Sequence, residues 1–438
     1  MSQSSSSVRA RFLRATASGG AIKAFGLGLN FLFLLVFSNR LSADDFGYFG
    51  TGLAAAALLS SLLGLGYSET ILRSGPNYIV KKEAKKLAVL LRTSLIHIGT
   101  VTLSATALAF AAHYIADLAN FQFNSSKLTA INYVVGVILL GGLLAYGDVL
   151  AACWRAKRSN FLALAPREVV WRLVCIAIVG LVYTPTLIGA IFSIGAVLSM
   201  VLLIQAGVLS AKLPRASLLP FAKYEDYSKR FWGLAVLQKL KANIGTLVVA
   251  ALLGPLEAGI FFAADRIAKL SNFGLEATNL TTSPEISRAY AEGRQQKMLT
   301  WVITASVFAF LFWLVCMMAI VAFPERILSV FDPLYAQGAG VLVIIALSYG
   351  VSSATGPNGV LLKMTGHEKQ VLKINIAWSF LALALFPFGT FAGGLLGAAL
   401  ADALIRTGVN LHTAFVAKRL ANCPFLPAVR FRQIFSKQ

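Results

Sequence analysis

Charge is the first thing this 438-residue chain lacks: only 13% of its positions are Asp, Glu, Lys or Arg. Soluble domains carry roughly a quarter charged residues, so an ordinary water-covered surface is excluded. Histidine is scarcer still. His97, His113, His367 and His412 form no motif, and His367 in TGHEK reads as a solvated histidine on a turn. Cys153, Cys175, Cys316 and Cys423 are scattered, with no C-x-x-C or zinc-ligand spacing. That indicates neither a disulfide framework nor a metal site, and the thiols read as small apolar space-fillers. Acidic residues number 18 against 39 Lys and Arg, for a formal charge of +21. A nucleic-acid binder would cluster such cations on a folded basic surface. Here they fall in short gaps between apolar runs, so nucleic acid is not an expected partner.

What the chain has in quantity is hydrocarbon: 57% of its residues are hydrophobic and the mean hydropathy is +0.74. Apolar runs of 18 residues or more read as transmembrane helices. The sequence predicts about twelve, near 20–40, 47–71, 88–116, 129–150, 161–182, 187–210, 231–252, 257–282, 299–323, 337–362, 371–391 and 395–417. The fold class is therefore an all-α polytopic membrane protein. The polar, basic leader MSQSSSSVRARFLRATASGG reads as the flank of a retained first helix rather than a cleaved signal. Loops on the side opposite the leader are short, the longest, near 117–128 and 324–336, running about a dozen residues. A membrane-embedded glycan ligase or polymerase would need a sizeable outer loop for its catalytic groups, so the chain reads as a transporter, not an enzyme.

Orientation follows from the cations. With the N-terminus cytoplasmic, twenty-nine Lys and Arg fall on that side and only Arg40, Lys127 and Arg326 on the other. The positive-inside rule then places both termini in the cytoplasm. Seven cations remain at membrane depth: Lys23, Arg172, Lys239, Lys241, Arg266, Lys269 and Arg406. Their acidic companions are Glu69, Asp148, Asp265, Glu276 and Asp402. A charge at the bilayer centre costs at least ~2.5–3.5 kcal/mol on insertion scales, so it needs a cavity or a partner. Snorkelling from a helix end suits Arg172, Lys23 and Lys241, but not Lys269 or Glu276, which lie well inside their span.

Spacing groups these residues into stripes. Asp265, Lys269, Asn272, Glu276 and Asn279 recur at steps of four, three, four and three, on one face of a 3.6-period helix. Lys239, Asn243 and Thr246 repeat the pattern in the seventh span, and Asp402, Arg406, Asn410 and Thr413 in the twelfth. Lys23 and Asn30 add a weaker pair in the first. A polar stripe in lipid lines either a solvated cavity or hydrogen-bonded helix contacts, and three charged stripes in one half of the chain point to a cavity.

The chain also divides. LSADDFGYF at 41–49 and LGPLEAGIF at 253–261 lie 212 residues apart and share Leu, Gly and Phe, with Asp45 opposite Glu257. Each links the first and second spans of a six-helix set. The expected organisation is an N-terminal lobe at 1–210, a basic cytoplasmic linker at 211–230, a C-terminal lobe at 231–418 and a cytoplasmic tail at 419–438. Repeated halves with sites at their interface are a common transporter plan.

NRLSADDFGYFG after the first span, LLGPLEAGIFFAADRI at the equivalent place in the second half, and SPEISRAYAEGR closing the eighth span carry a resemblance. The chain resembles the Wzx-type polysaccharide flippases of the multidrug/oligosaccharidyl-lipid/polysaccharide exporter superfamily. The resemblance implies two pseudo-symmetric six-helix lobes around a central cavity, working by alternating access in a bacterial inner (cytoplasmic) membrane. It implies a lipid-linked oligosaccharide substrate, carried on an isoprenoid diphosphate and moved to the outer leaflet for cell-surface or exopolysaccharide biosynthesis. Membrane lipids and other polysaccharide-assembly proteins are the partners it suggests. Lys23, Lys239, Lys241, Arg266, Lys269 and Arg406 are the candidates for engaging the diphosphate. Asn30, Glu69, Asp265, Asn272, Glu276, Asp402 and Asn410 are the other polar residues expected in the cavity. Among these, Asp265, Glu276 and Asp402 either set resting salt bridges or carry a coupling proton or Na+. No cofactor or metal is expected. The alternative within the superfamily is a multidrug/cation antiporter, which needs a net acidic, aromatic-lined pocket.

Overall fold

The structure, a computed structural model, describes residues 25–120, 125–157, 159–214 and 225–427. Every regular element among them is helical. Eight described helices are long and apolar enough to cross a membrane, and the chain is a multi-pass membrane protein. Backbone groups in hydrocarbon have no water to bond, which leaves the helix as the economical solution for each span.

The chain separates into two compact units, one over Phe25–Asn243 and the other containing Ile244 onward. The first opens with α1, Phe25–Ser38, then α2 (Ala43–Leu63), α3 (Tyr67–Val80), α4 (Ala84–Asn120) and α5 (Ser125–Ala156). A broken run follows: α6 (Asn160–Ala165), a π-helical turn at Pro166–Val170, and α7 (Trp171–Leu181). α8 (Leu187–Ala211) and the first part of α9 (Glu225–Leu252) complete the unit. α5 is its centre, packed by α2, α3, α4 and α8. Aromatic side chains lock α1, α2 and α7 together. Phe37 stacks on Phe49 with centroids 4.9 Å apart, and Phe33 meets Trp171 edge-on at 5.3 Å. Arg40 donates to the Gly180 carbonyl at the end of α7 (2.8 Å), a placement the helix dipole favours.

The second unit holds α10 (Pro255–Leu270), α11 (Phe273–Ala291), α12 (Gln295–Ala322), α13 (Pro324–Ser329), a 3-10 turn at Pro333–Gly338, α14 (Ala339–Thr355), α15 (Asn358–Met364) and α16 (Glu368–Ala421). Here α14 is central, packed by α10, α12 and α16. Each of the two sequence-related turns starts a helix: α2 begins at Ala43 and α10 at Pro255, 212 positions on. Each puts a carboxylate in its first turn, Asp45 after the capping hydroxyl of Ser42 and Glu257 after Pro255. Proline at the first helical position forfeits no intrahelical hydrogen bond.

Several expected spans differ in detail, each for a local reason. The run at 161–182 is interrupted because Pro166 has no N–H, and the helix widens into the π turn. The stretch at 257–282 is two helices. At the junction Ser271 and Asn272 donate to Ala268 and Lys269 (both 3.1 Å), three residues back instead of four. The Ser271 hydroxyl takes the Ala268 carbonyl as well (2.6 Å). The stretches at 371–391 and 395–417 are the arms of one hairpin, α16, broken at Gly393 and Gly394 (φ +57). Its register is visible in two close contacts. An added Cβ on Gly397 would strike the Gly389 backbone, and one on Gly408 the Trp378 ring. Both pairs are centred on residue 393, as an antiparallel hairpin requires.

Candidate functional site

Each unit contains a polar centre. In the second unit it is built on α10, α14 and α16. Asp402 and Arg406 lie one turn apart on α16, so their side chains meet. Arg406 bonds Asp402 in a fork, Nη2 to Oδ2 at 2.7 Å and to Oδ1 at 3.0 Å, with Nε to Oδ2 at 3.2 Å. Nη2 also reaches Asp265 Oδ1 on α10 (3.3 Å), and Nη1 donates to the Tyr349 hydroxyl on α14 (2.6 Å). The guanidinium carbon lies 4.1 Å from the Tyr349 ring centroid. One turn on, Asn410 donates to Ser352 Oγ (2.7 Å). The α16 stripe therefore packs against protein. It ties three helices together, and in this state Arg406 has its nitrogens engaged by its own neighbours.

Arg266 and Lys269 stand differently. The Arg266 guanidinium lies over the Phe262 ring at 4.8 Å, and Lys269, partly buried, is within electrostatic range of Arg266, Glu276, Asp265 and Arg406. Neither forms a salt bridge among the described residues. The stripe expected to run from Asp265 to Asn279 is divided at the α10–α11 junction. Beyond it Glu276 is exposed, while the side-chain oxygens of Asn272 and Asn279 are buried without a hydrogen-bond partner among the described residues.

The first unit has a cavity of about 280 Å3 between the α2–α3 turn, α5 and α9. Its polar lining is Ser60, Ser61, Ser68, Glu69, Asp148, Gln238 and Lys239. Asp148 pairs with Arg167 on the π turn, and Arg167 lies 3.7 Å from Glu168, which holds Arg172 at 3.2 Å. Proline explains the arrangement: the widened turn after Pro166 carries Arg167 and Glu168 at adjacent positions. Glu69 is exposed to the cavity, and neither it nor Lys239 has a salt-bridge partner among the described residues. The α2–α3 turn beneath them is sharply wound, with Leu65 (φ 48) and Gly66 (φ 72) both left-handed. A non-glycine residue pays roughly 1–2 kcal/mol for that conformation.

Of the candidates, the structure brings Asp265, Asp402, Arg406 and Asn410 into one hydrogen-bonded region, with Arg266 and Lys269 on the same helix as Asp265. It brings Lys239 and Glu69 into the other. Lys241 is two residues past Lys239, about 200° around the helix, and is partly buried. Asn30 is partly buried on α1, one turn beyond Gly26, which abuts Glu168. Lys23 lies outside the described residues. Sequence reasoning overlooked Tyr349, Arg167 and the cavity hydroxyls of Ser60 and Ser61. Only Arg167 carried a signal, as a charge directly after an in-helix proline.

The chain matches no protein-family model and no curated protein sequence. Its likeness is to solved structures. One is a multidrug resistance MATE family transporter of the MOP superfamily in an inward-facing conformation, with TM-score 0.70 at 15% identity, covering 94% of this chain and 95% of that one. Another is a MOP superfamily transporter from Pyrococcus furiosus, described as having a binding pocket whose reverse polarity suggests a different function. It gives TM-score 0.66 at 17% identity over 93% and 95%. A MATE in complex with MaL6 gives 0.66 at 16% over 93% and 96%. The chain has the fold of these transporters over nearly its whole length.

Proposed function

We propose that the protein is a flippase that moves an isoprenoid-diphosphate-linked oligosaccharide from the cytoplasmic to the outer leaflet by alternating access, serving cell-surface or exopolysaccharide assembly in a bacterial cytoplasmic membrane. The observation that carries this reading is an asymmetry of pairing in the second unit. Both aspartates there are engaged by Arg406, while Arg266 and Lys269 form no salt bridge among the described residues. A partly buried cation held in no direct ion pair favours an anionic ligand. Diphosphate supplies acceptor oxygens that a guanidinium can bind in pairs and an ammonium can bind as a point charge. The sugar headgroup cannot cross hydrocarbon without replacement of its hydrogen bonds, and the prenyl tail can stay in lipid.

In this scheme Arg266 and Lys269 hold the diphosphate, and Asp265 and Asp402 set the resting salt bridge with Arg406. The double variant Arg266→Gln, Lys269→Gln should abolish glycan export at unchanged protein level. Normal export from that variant would sink the assignment. A second reading, export of organic cations, is favoured by one observation, the Glu69 carboxylate in the first unit's cavity, which forms no salt bridge among the described residues. It predicts that overexpression raises resistance to cationic drugs and that Glu69→Gln removes the effect.

A further inference from the structure

We infer that the first unit's cavity is a binding site for one uncharged sugar ring, distinct in chemistry from the cationic site that would take a diphosphate. The inference rests on the flippase reading for the source of the sugar. Charge is the first argument. The lining holds Glu69 and Lys239, of opposite sign and without salt bridges among the described residues, together with Asp148, which Arg167 neutralises. Charges of both signs therefore meet at this lining, and Arg155 lies within electrostatic range of Glu69 and Asp148 as well. A diphosphate entering this space meets the Glu69 carboxylate as well as Lys239, and an organic cation meets the Lys239 ammonium as well as Glu69. An uncharged polyhydroxyl ring meets neither penalty, because each hydroxyl can both donate and accept.

The lining chemistry also matches. Carboxylates at Glu69 and Asp148 accept from hydroxyls, while Lys239 and Gln238 donate to them. The Ser60 and Ser61 hydroxyls already donate to the Ala57 and Leu58 carbonyls (2.8 and 2.7 Å), which leaves their oxygens as acceptors. The space is large enough for one ring: about 280 Å3 corresponds to roughly nine waters at ~30 Å3 each. Trp232 is tied to the lining by helix position and by one hydrogen bond. It lies on the α9 face that carries Ala235 and Lys239, and its Nε1 donates to the Leu62 carbonyl (3.0 Å), next to lining Ser61. Its ring is partly exposed. With its polar tip occupied, the indole can offer an apolar face to the C–H face of a sugar.

Trp232 also supplies the readout. Tryptophan fluorescence of the purified full-length protein is titrated with four neutral probes, the oligosaccharides of glucose, galactose, mannose and N-acetylglucosamine. Inorganic pyrophosphate and tetraphenylphosphonium are titrated separately, and Trp232→Phe gives the blank. At least one neutral saccharide should produce a saturable change that vanishes in Trp232→Phe. Glu69→Gln should weaken it roughly tenfold, the scale of one charge-assisted hydrogen bond. Gln238→Ala, at an exposed position, gives a smaller weakening without threatening the fold. The inference is overturned if no neutral saccharide acts, or if pyrophosphate or tetraphenylphosphonium saturates the Trp232 signal instead. Saccharide binding in a protein whose deletion leaves glycan export intact would remove the flippase reading and keep the cavity. Export that needs the protein, with no saccharide response, would do the reverse.

Discussion

Arg406 shows how a single side chain can be a binding candidate by type and a structural tie by position. Its fork to Asp402, its reach to Asp265 and its bond to Tyr349 use a planar donor set that lysine cannot reproduce. Replacing it with Leu leaves two partly buried carboxylates without their counterion. Breaking such a pair costs about 3 kcal/mol or more, so Arg406→Leu should lower the thermal unfolding temperature markedly in detergent. Arg406→Lys should recover only part of the loss. If Arg406→Leu melts like the wild type, the tie is not structural. At this scale the sequence was half legible. The step of four between Asp402 and Arg406 makes their contact a consequence of helix geometry. Asp265 lies 141 residues from Arg406, and no local pattern names it as the partner.

At the scale of elements, the α16 hairpin depends on the absence of side chains. Gly389 and Gly397 let its arms approach closely, and Gly394 adopts φ +57 at the bend. Gly397→Val should separate the arms and cost at least the ~1–3 kcal/mol of an overpacked core. Thermal unfolding of the purified variant measures this, and an unchanged midpoint would contradict the register described for the hairpin. The chemistry that starts two helices is local, Ser42 capping α2 and Pro255 opening α10, although the apolar runs alone put these spans at 47 and 257. The α10–α11 junction was not readable. Ser271 and Asn272 are ordinary in a helix, and the change from four-residue to three-residue hydrogen bonding is made by side-chain competition that periodicity does not reveal.

For the whole molecule, the distribution of Lys and Arg makes a topological prediction. Both termini should face the cytoplasm, so a fluorescent protein fused after Gln438 should mature, and a periplasm-dependent phosphatase inserted at Asp44 should be active. Phosphatase activity from the C-terminal fusion would invert the topology. The related turns at 41–49 and 253–261 begin helices 212 residues apart, one in each unit. The cut between the units falls within α9, after Asn243. That position leaves no mark in composition, because a helix crossing from one unit to the other keeps its period throughout.

Hydrophobic content, run length and charge placement by themselves determined that this chain is helical, crosses a membrane many times, and carries acidic and basic side chains within its apolar runs. Those properties add up residue by residue or recur at a fixed helical step, so they need no knowledge of partners. Only the tertiary structure decided which charges are neutralised. Arg406 is matched to Asp402 and Asp265, Asp148 is matched to Arg167, and Lys269, Arg266, Lys239 and Glu69 form no salt bridge among the described residues. Helical periodicity says which face a side chain occupies. Ion pairing depends on a few ångströms between faces brought together from distant parts of the chain, and that distance exists only once the helices have packed.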